Sequence, residues 1–410
     1  MNGTELTGTE SSIVHAADNR HSDHGSVQRG LAALTVALLP LGNLWTVEAM
    51  GRNFPIPLAW VPASLLVIHF ALTSLSGIPD RWADRREWPP IFSGLLAVAL
   101  VLSLSLVLSA TFWSGVAAYL NFIFGAFGGA AVGWTWATAR RNTLGVIDIG
   151  LLFFLAVSAL QVLISSLALQ DGQRIAIQWG GSNFVAAVLV TGSLLIVARL
   201  RQSEPVGWLW YAVPLVAIAA AMSTLSRGAA VALAAGGVVL LWNLGSTRRA
   251  RLVLRSVCTV VPMLAIGVVG VFTYRRTLVN QQALVNITAR FDLIALAWDE
   301  FLKNPAFGTG WASLRATTSG LGAETTFAHN FVLSFMQLGG ISGLIFVTLL
   351  CILLARVLRV GGLLAAPVVS AMATALFDPF LESFIGGLLT FACAVFVLAE
   401  RRNASLAGSL

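Results

Sequence analysis

The sequence predicts an all-α polytopic membrane protein, with about twelve transmembrane helices and one large extracytoplasmic loop that contains short helices. Three observations carry this expectation. Of the 410 residues, 57% are apolar and only 10% are charged, against roughly 25% charged in soluble domains. Mean hydropathy is +0.83. The apolar residues also fall in runs of the length a bilayer demands, about 20 residues per helix. The same figures exclude a soluble enzyme, a disordered chain and a fibrous protein.

The twelve runs lie at about 30–49, 55–76, 91–111, 113–137, 145–169, 182–198, 208–224, 229–245, 257–273, 329–355, 361–377 and 383–400. Net charge is +7, from 24 Arg, one Lys and 18 acidic residues. In a soluble chain that balance would suggest nucleic acid. Here the basic residues sit in short clusters between apolar runs, so they set orientation and no nucleic-acid partner is expected. Seventeen fall on one side, in clusters such as Arg140–Arg141 and Arg248–Arg249, and eight on the other: Arg52, Arg174, Arg227, Arg275, Arg276, Arg290, Lys303 and Arg315. The richer side is cytoplasmic, and both termini fall on it.

The organisation that follows is a cytoplasmic tail over 1–28, helices one to nine over 29–273 and a large loop over 274–328. Helices ten to twelve over 329–400 and a cytoplasmic tail over 401–410 complete it. No cleavable signal peptide precedes the first apolar run, which is expected to act as an uncleaved anchor. His15, His21 and His24 in the tail read as solvated residues. Cys258, Cys351 and Cys393 lie inside apolar runs without metal-site spacing and are expected to be buried thiols. His69, alone in the second span, reads as structural.

The loop over 274–328 is far longer than any other connection, and long loops in compact proteins are usually functional. The remaining polar exceptions gather on its side. Thr224-Leu225-Ser226-Arg227-Gly228-Ala229 joins two apolar runs with almost no loop, and Ser226 can cap the second helix. Arg227 then sits in a first turn, where a cation opposes the helix dipole. It either anchors at headgroup level or, together with the free N–H groups of the helix start, binds a phosphate. Thr288-Ala289-Arg290-Phe291-Asp292 opens a helical stretch running to about Leu302. Arg290 shares the face of Ile294, Ala297, Trp298 and Phe301, so it must snorkel, pair with a carboxylate such as Glu324, or meet an anion. Pro305 stops that helix, and Gly308 and Gly310 permit a tight turn before Trp311.

His329, in Phe327-Ala328-His329-Asn330-Phe331, opens a long apolar helix. It is either a capping residue or a neutral imidazole that can accept a proton. Asp378 and Glu382 bracket a short turn at i, i+4 and read equally as a structural pair or as substrate contacts. The face offers no DxD-like pair and no histidine cluster, so no metal and no cofactor are expected. Two helix starts, two arginines and one histidine would suit a diphosphate beside a hydroxyl that must lose its proton.

These pieces are similar to the O-antigen ligase and polymerase superfamily. The resemblance rests on Ser226-Arg227-Gly228-Ala229, Arg290 with Trp298, Asn304-Pro305 with Gly308-Thr309-Gly310, Ala328-His329-Asn330, and Leu338-Gly339-Gly340, in that order across about 180–350. Gly180-Gly181-Ser182-Asn183 is a weaker match. The resemblance implies a glycosyltransferase in the bacterial inner membrane, acting on the periplasmic face. Its donor would be an undecaprenyl-diphosphate-linked glycan. Carried over, Arg227 and Arg290 hold the diphosphate and His329 activates the acceptor hydroxyl. Asn330, Ser226, Asn183, Trp311, Arg275 and Asp378 are expected at the substrate. Among members the ligase, with lipid A-core as acceptor, is expected. Polymerase and ligase for another acceptor are the alternatives, and a lipid-glycan transporter is the rival of another class. Mid-span regions nearly free of charge argue against transport; Asp148 lies near the cytoplasmic end of its span.

Overall fold

The computed structural model describes residues 25–49, 52–75, 88–108, 112–138, 144–168, 180–203, 207–224, 226–244, 281–311 and 328–407, with short pieces at 176–177 and 267. The described chain is all-α and polytopic. Its helices are α1 over 25–37, α2 Trp60–Leu75, α3 Trp88–Leu108, α4 Phe112–Thr138, α5 Val146–Ala168, α6 Ser182–Gln202, α7 Ala212–Ser223 and α8 Arg227–Leu244. They continue with α9 Gln281–Lys303, α10 Phe331–Gly339, α11 Ile341–Val360, α12 Ala365–Ala375 and α13 Phe384–Ala407. Six of the described helices are long and apolar enough to cross a membrane.

Most helices coincide with apolar runs. Two runs do not form single helices. Residues Asn43–Ala49 pair antiparallel with Arg52–Pro57 as a hairpin of β1 and β2. Pro40 and Gly42, the latter at φ 75°, end the preceding helical turn there, and the Trp-Thr-Val run favours strand. The run expected over 329–355 is divided at Gly340, which has φ 60°. The run over 257–273 lies outside the described residues apart from Gly267, as do His15, His21, His24 and Cys258. Cys393 is buried as expected, but Cys351 is exposed on α11. It shares that helix's outer surface with Ile345, Leu349 and Ile352, where a thiol suits lipid contact.

At the centre, α13 lies along α4, α12 lies against α8 and α6, and α7 fits between α5 and α6. The α4–α13 contact is close because Gly125, Gly129 and Gly133 face the partner backbone. A methyl group there would collide with the carbonyl oxygens of Phe384, Leu388 and Ala392. The outer surface exposes Leu65, Ile68, Leu100, Leu104, Ile345 and Leu349. That is the apolar exterior a bilayer solvates and water does not.

One end of the bundle is closed by an ion pair. Arg199 near the end of α6 lies 3.4 Å from Asp148 at the start of α5, and both side chains are almost fully buried. Trp136 Nε1 and the Gly145 amide also donate to Asp148, at 3.1 and 2.8 Å. The guanidinium sits over the Phe396 ring. Removing one partner leaves an uncompensated buried charge. Arg199→Met alone is expected to lower stability by about 3–5 kcal/mol. The Arg199→Met/Asp148→Asn double variant should recover most of that loss. Denaturation in detergent measures both, and an equal loss in the two would contradict the pairing.

Candidate active site at the opposite end of the bundle

The start of α6 at Ser182 is about 17 residues, or about 25 Å, from Arg199. There Phe184 packs on Phe380, with ring centroids 5.7 Å apart. Phe380 belongs to the 376–383 connection between α12 and α13. Pro379 cannot continue a helix, and the connection instead turns on the Phe380 amide bonded to the Asp378 carbonyl at 2.7 Å. Ser383 then caps α13 by accepting from the Gly386 amide at 3.0 Å.

Asp378 projects from this connection and draws three other segments together. Arg290 on α9 reaches it with Nη2 at 3.2 Å from Oδ1, while Nη1 donates to the Phe377 carbonyl at 3.1 Å. His329 Nδ1 lies 3.4 Å from the same Oδ1. At the start of α8, a methyl group on Gly228 would meet Asp378 Oδ2 at 3.0 Å, so the helix start lies close against that carboxylate. Arg227, the first residue of α8, is half-buried next to that contact. The Asp378 side chain is 7% exposed, whereas those of Arg290 and His329 are 39% and 27% exposed. A buried anion thus lies beneath two groups that remain accessible.

An ionised carboxylate only accepts, so the His329 contact calls for a proton on Nδ1, and Nε2 is then the acceptor whenever the ring is neutral. His329 is also the one described non-glycine residue with positive φ, 54°. Such backbone costs on the order of 1–3 kcal/mol and persists only where its surroundings enforce it. Here the next residue supplies the enforcement. Asn330 is the N-cap of α10: its Oδ1 accepts from the Val332 and Leu333 amides at 3.0 and 3.3 Å, and its Nδ2 donates to the Leu376 carbonyl at 3.4 Å. The Ala328 amide is bonded to Ser334 Oγ at 3.2 Å. His329 is therefore held from both sides.

Sequence reasoning placed Arg290 on an inward helix face, and it is there. The buried face of α9 is formed by Leu293 and Ala297, which pack with Ala328 and Leu333. Trp298, grouped with that face by its spacing, is instead 45% exposed, as are Phe291 and Leu302 to a greater degree. The helix carries two apolar stripes, and spacing alone merges them. Among the described residues the carboxylate partner of Arg290 is Asp378; Glu324 and Arg275 lie outside the described residues.

Ser226 caps α8 by accepting from the Ala229 amide at 3.2 Å. Asn183 is half-buried in the first turn of α6, beside the Phe184–Phe380 contact. Trp311, expected at the substrate, is fully enclosed, with Tyr119, Phe122 and Phe335 around its ring at 5.4, 5.7 and 6.2 Å. It is a core residue, and its size and aromatic neighbours account for it.

The glycine-rich pieces explain how α9 is held. Pro305 offers its carbonyl to the Ile341 amide at 2.8 Å, and the Thr309 amide donates to the Gln337 carbonyl at 2.9 Å. The Ser105 hydroxyl on α3 takes the Leu338 carbonyl. These bonds satisfy backbone groups released where α10 gives way to α11. Gly308 and Gly340, at φ 71° and 60°, press backbone against backbone at this joint.

Glu382 was paired with Asp378 from its spacing. It is 1% exposed, and neither carboxyl oxygen has a hydrogen-bond partner. Burial pushes its carboxyl up to about 7, reinforced by the Asp378 charge and only partly opposed by its own amide and the nearby Ser334 hydroxyl. Above the usual carboxylate range the folded protein keeps a proton that the unfolded chain loses. The corresponding stability is full below about 4.5 and is lost as pH rises through about 7. Glu382→Gln is expected to remove this dependence, gaining on the order of 3 kcal/mol relative to the native residue above neutrality and little in acid. Melting temperatures in detergent across that pH window measure it, and parallel curves would contradict it. Gly340→Ala is expected to cost more than about 1 kcal/mol, since alanine there is both strained and crowded. An unchanged melting temperature would contradict the joint described above.

Among curated proteins, none matches the chain. The family model described as O-antigen ligase matches residues 212–348. The matched region runs from α7 into α11 and includes Arg227, Arg290 and His329. Over residues 212–348 the chain is therefore similar to the O-antigen ligase family.

Proposed function

We propose that the protein is a glycosyltransferase that moves O-antigen polysaccharide from undecaprenyl diphosphate to a hydroxyl of lipid A-core, at the periplasmic face of the bacterial inner membrane. One observation carries the reading: Asp378 holds a histidine and an arginine on the same carboxylate oxygen while both stay accessible. That geometry suits a base and an anion-binding group working on one substrate. The family match over residues 212–348 supports a lipid-linked glycan as the donor class.

In the proposed reaction the acceptor hydroxyl approaches the anomeric carbon of the donor glycan. His329 Nε2 takes its proton as the new carbon–oxygen bond forms. The bond from the anomeric carbon to the diphosphate oxygen breaks, and undecaprenyl diphosphate leaves with that electron pair. Its charge falls to Arg227, to the positive end of the α8 dipole, and to the Arg290 donors that Asp378 and Phe377 do not occupy. A diphosphate leaves without a general acid. A single displacement inverts the anomeric configuration. Asp378 orients the imidazole and compensates the positive charge it gains, as the carboxylate does in hydrolytic triads. Asn330 and Ser226 act through the helix starts they cap, and Asn183 lines the approach from α6. Arginine takes the role that a divalent metal plays in many transferases, so the reaction needs none.

Loss of the base is separable from loss of the fold. Asn tolerates positive φ better than other residues, so His329→Asn keeps the turn and removes the base. Turnover is expected to fall about 10²–10⁴-fold while donor binding persists; unchanged turnover would overturn the role of His329. Chelator should leave transfer intact, and loss restored by magnesium would overturn the arginine account. Deleting the gene should leave long polymer on its lipid carrier; single repeat units capping the core would instead identify a polymerase.

A further inference from the structure

Glu382 takes no part in the mechanism above, yet its carboxyl lies inside the protein, without a hydrogen bond, four residues beyond Asp378. It faces Ser334, whose hydroxyl accepts from the Ala328 amide directly before the strained His329. No described cation pairs with it. A carboxyl so placed, against the turn that aims His329 and beside the anion that joins His329 to Arg290, does more than fill space.

We infer that Glu382 is a positioning residue: as the neutral acid it leaves Asp378 the single negative charge beneath the site, and when ionised it weakens the site's hold on a diphosphate. The inference rests on the proposed diphosphate site and adds a condition to it. The charged and titratable groups of the surrounding elements are Asp378 on the same connection, His329 ahead of α10, Arg290 on α9 and Arg227 at the start of α8. Of these, Asp378 acts directly on the Glu382 carboxyl. A second anion inside the protein has little water to screen it. Its repulsion falls on Asp378, whose Oδ1 both Arg290 and His329 address, and on any diphosphate held by the two arginines. The Glu382 carboxyl is pushed up to about 7, so it exchanges its proton near neutrality.

The test compares binding of inorganic pyrophosphate by the detergent-solubilised full chain and its Glu382→Gln variant, between about pH 5.5 and about pH 8.5. Glutamine has the shape of the neutral acid and cannot ionise. In acid the two proteins should bind alike. At the alkaline end the native protein should bind at least about tenfold more weakly than the variant. The ratio between the two cancels the titration of pyrophosphate itself. Parallel pH profiles would overturn the inference and leave the proposed function standing. Absence of pyrophosphate binding by the native protein at every pH would overturn both. Should the variant fail to fold, infrared spectra of the native protein decide. The carboxylic-acid carbonyl band should fade with the midpoint at which binding weakens, and a band that persists or is missing throughout would overturn the inference.

Discussion

A single buried carboxylate organises one end of this molecule. Asp378 lies on a connection that cannot be helical, and it receives Arg290 from 88 residues and His329 from 49 residues away. The start of α8 closes on its other oxygen. Without that anion, Arg290 would be a cation on the packed face of α9, and His329 would lose the group that orients its ring. The cost of burying Asp378 is offset by the donors it collects, and those donors keep part of their surface accessible. Stability and chemistry therefore depend on the same contacts.

The rest of the bundle can be understood as support for that arrangement. The glycine seam of α4 brings α13, and with it the 376–383 connection, into a fixed place. The joint between residues 305–309 and the α10–α11 break carries α9 and Arg290. Asn330 fixes the start of α10 to the Leu376 carbonyl, which links the histidine to the connection that bears its carboxylate. At the far end, Asp148 and Arg199 tie α5 to α6 in a comparable ion pair, but there both side chains are sealed and no group is left accessible. The contrast in exposure, not the presence of charge, separates a structural pair from a candidate site.

Much of this could be read before any coordinates. The membrane class, most helices, the Ser226 cap, the turn at Pro305 and the placement of His329 at a helix start all follow from local rules of period, capping and charge. What local rules could not supply is pairing across the chain. Asp378 and Glu382 were visible as a spaced pair, yet their opposite fates, one bridging two cations and one sealed without a hydrogen bond, depend on α9 and α10 arriving from elsewhere. Trp311 sits in a polar, glycine-rich stretch that looks exposed, and the approach of α4 and α10 encloses it. The break at Gly340 is hidden in an apolar run because a glycine in such a run is ordinary; its need becomes visible when Pro305 is seen against it. The strands Asn43–Ala49 and Arg52–Pro57 lie in stretches whose apolar length signals helix, while the β-branched and aromatic Trp-Thr-Val segment favours strand.

The central claim is that Arg227, Arg290 and His329 address one lipid diphosphate over a common carboxylate. The most direct measurement is a structure of the full chain in lipid nanodiscs with undecaprenyl diphosphate bound. The account predicts phosphate oxygens within hydrogen-bond reach of both guanidinium groups, His329 Nε2 turned toward the terminal phosphate, and Asp378 still on Nδ1. A diphosphate seated elsewhere on the molecule, or one touching neither arginine, would contradict it.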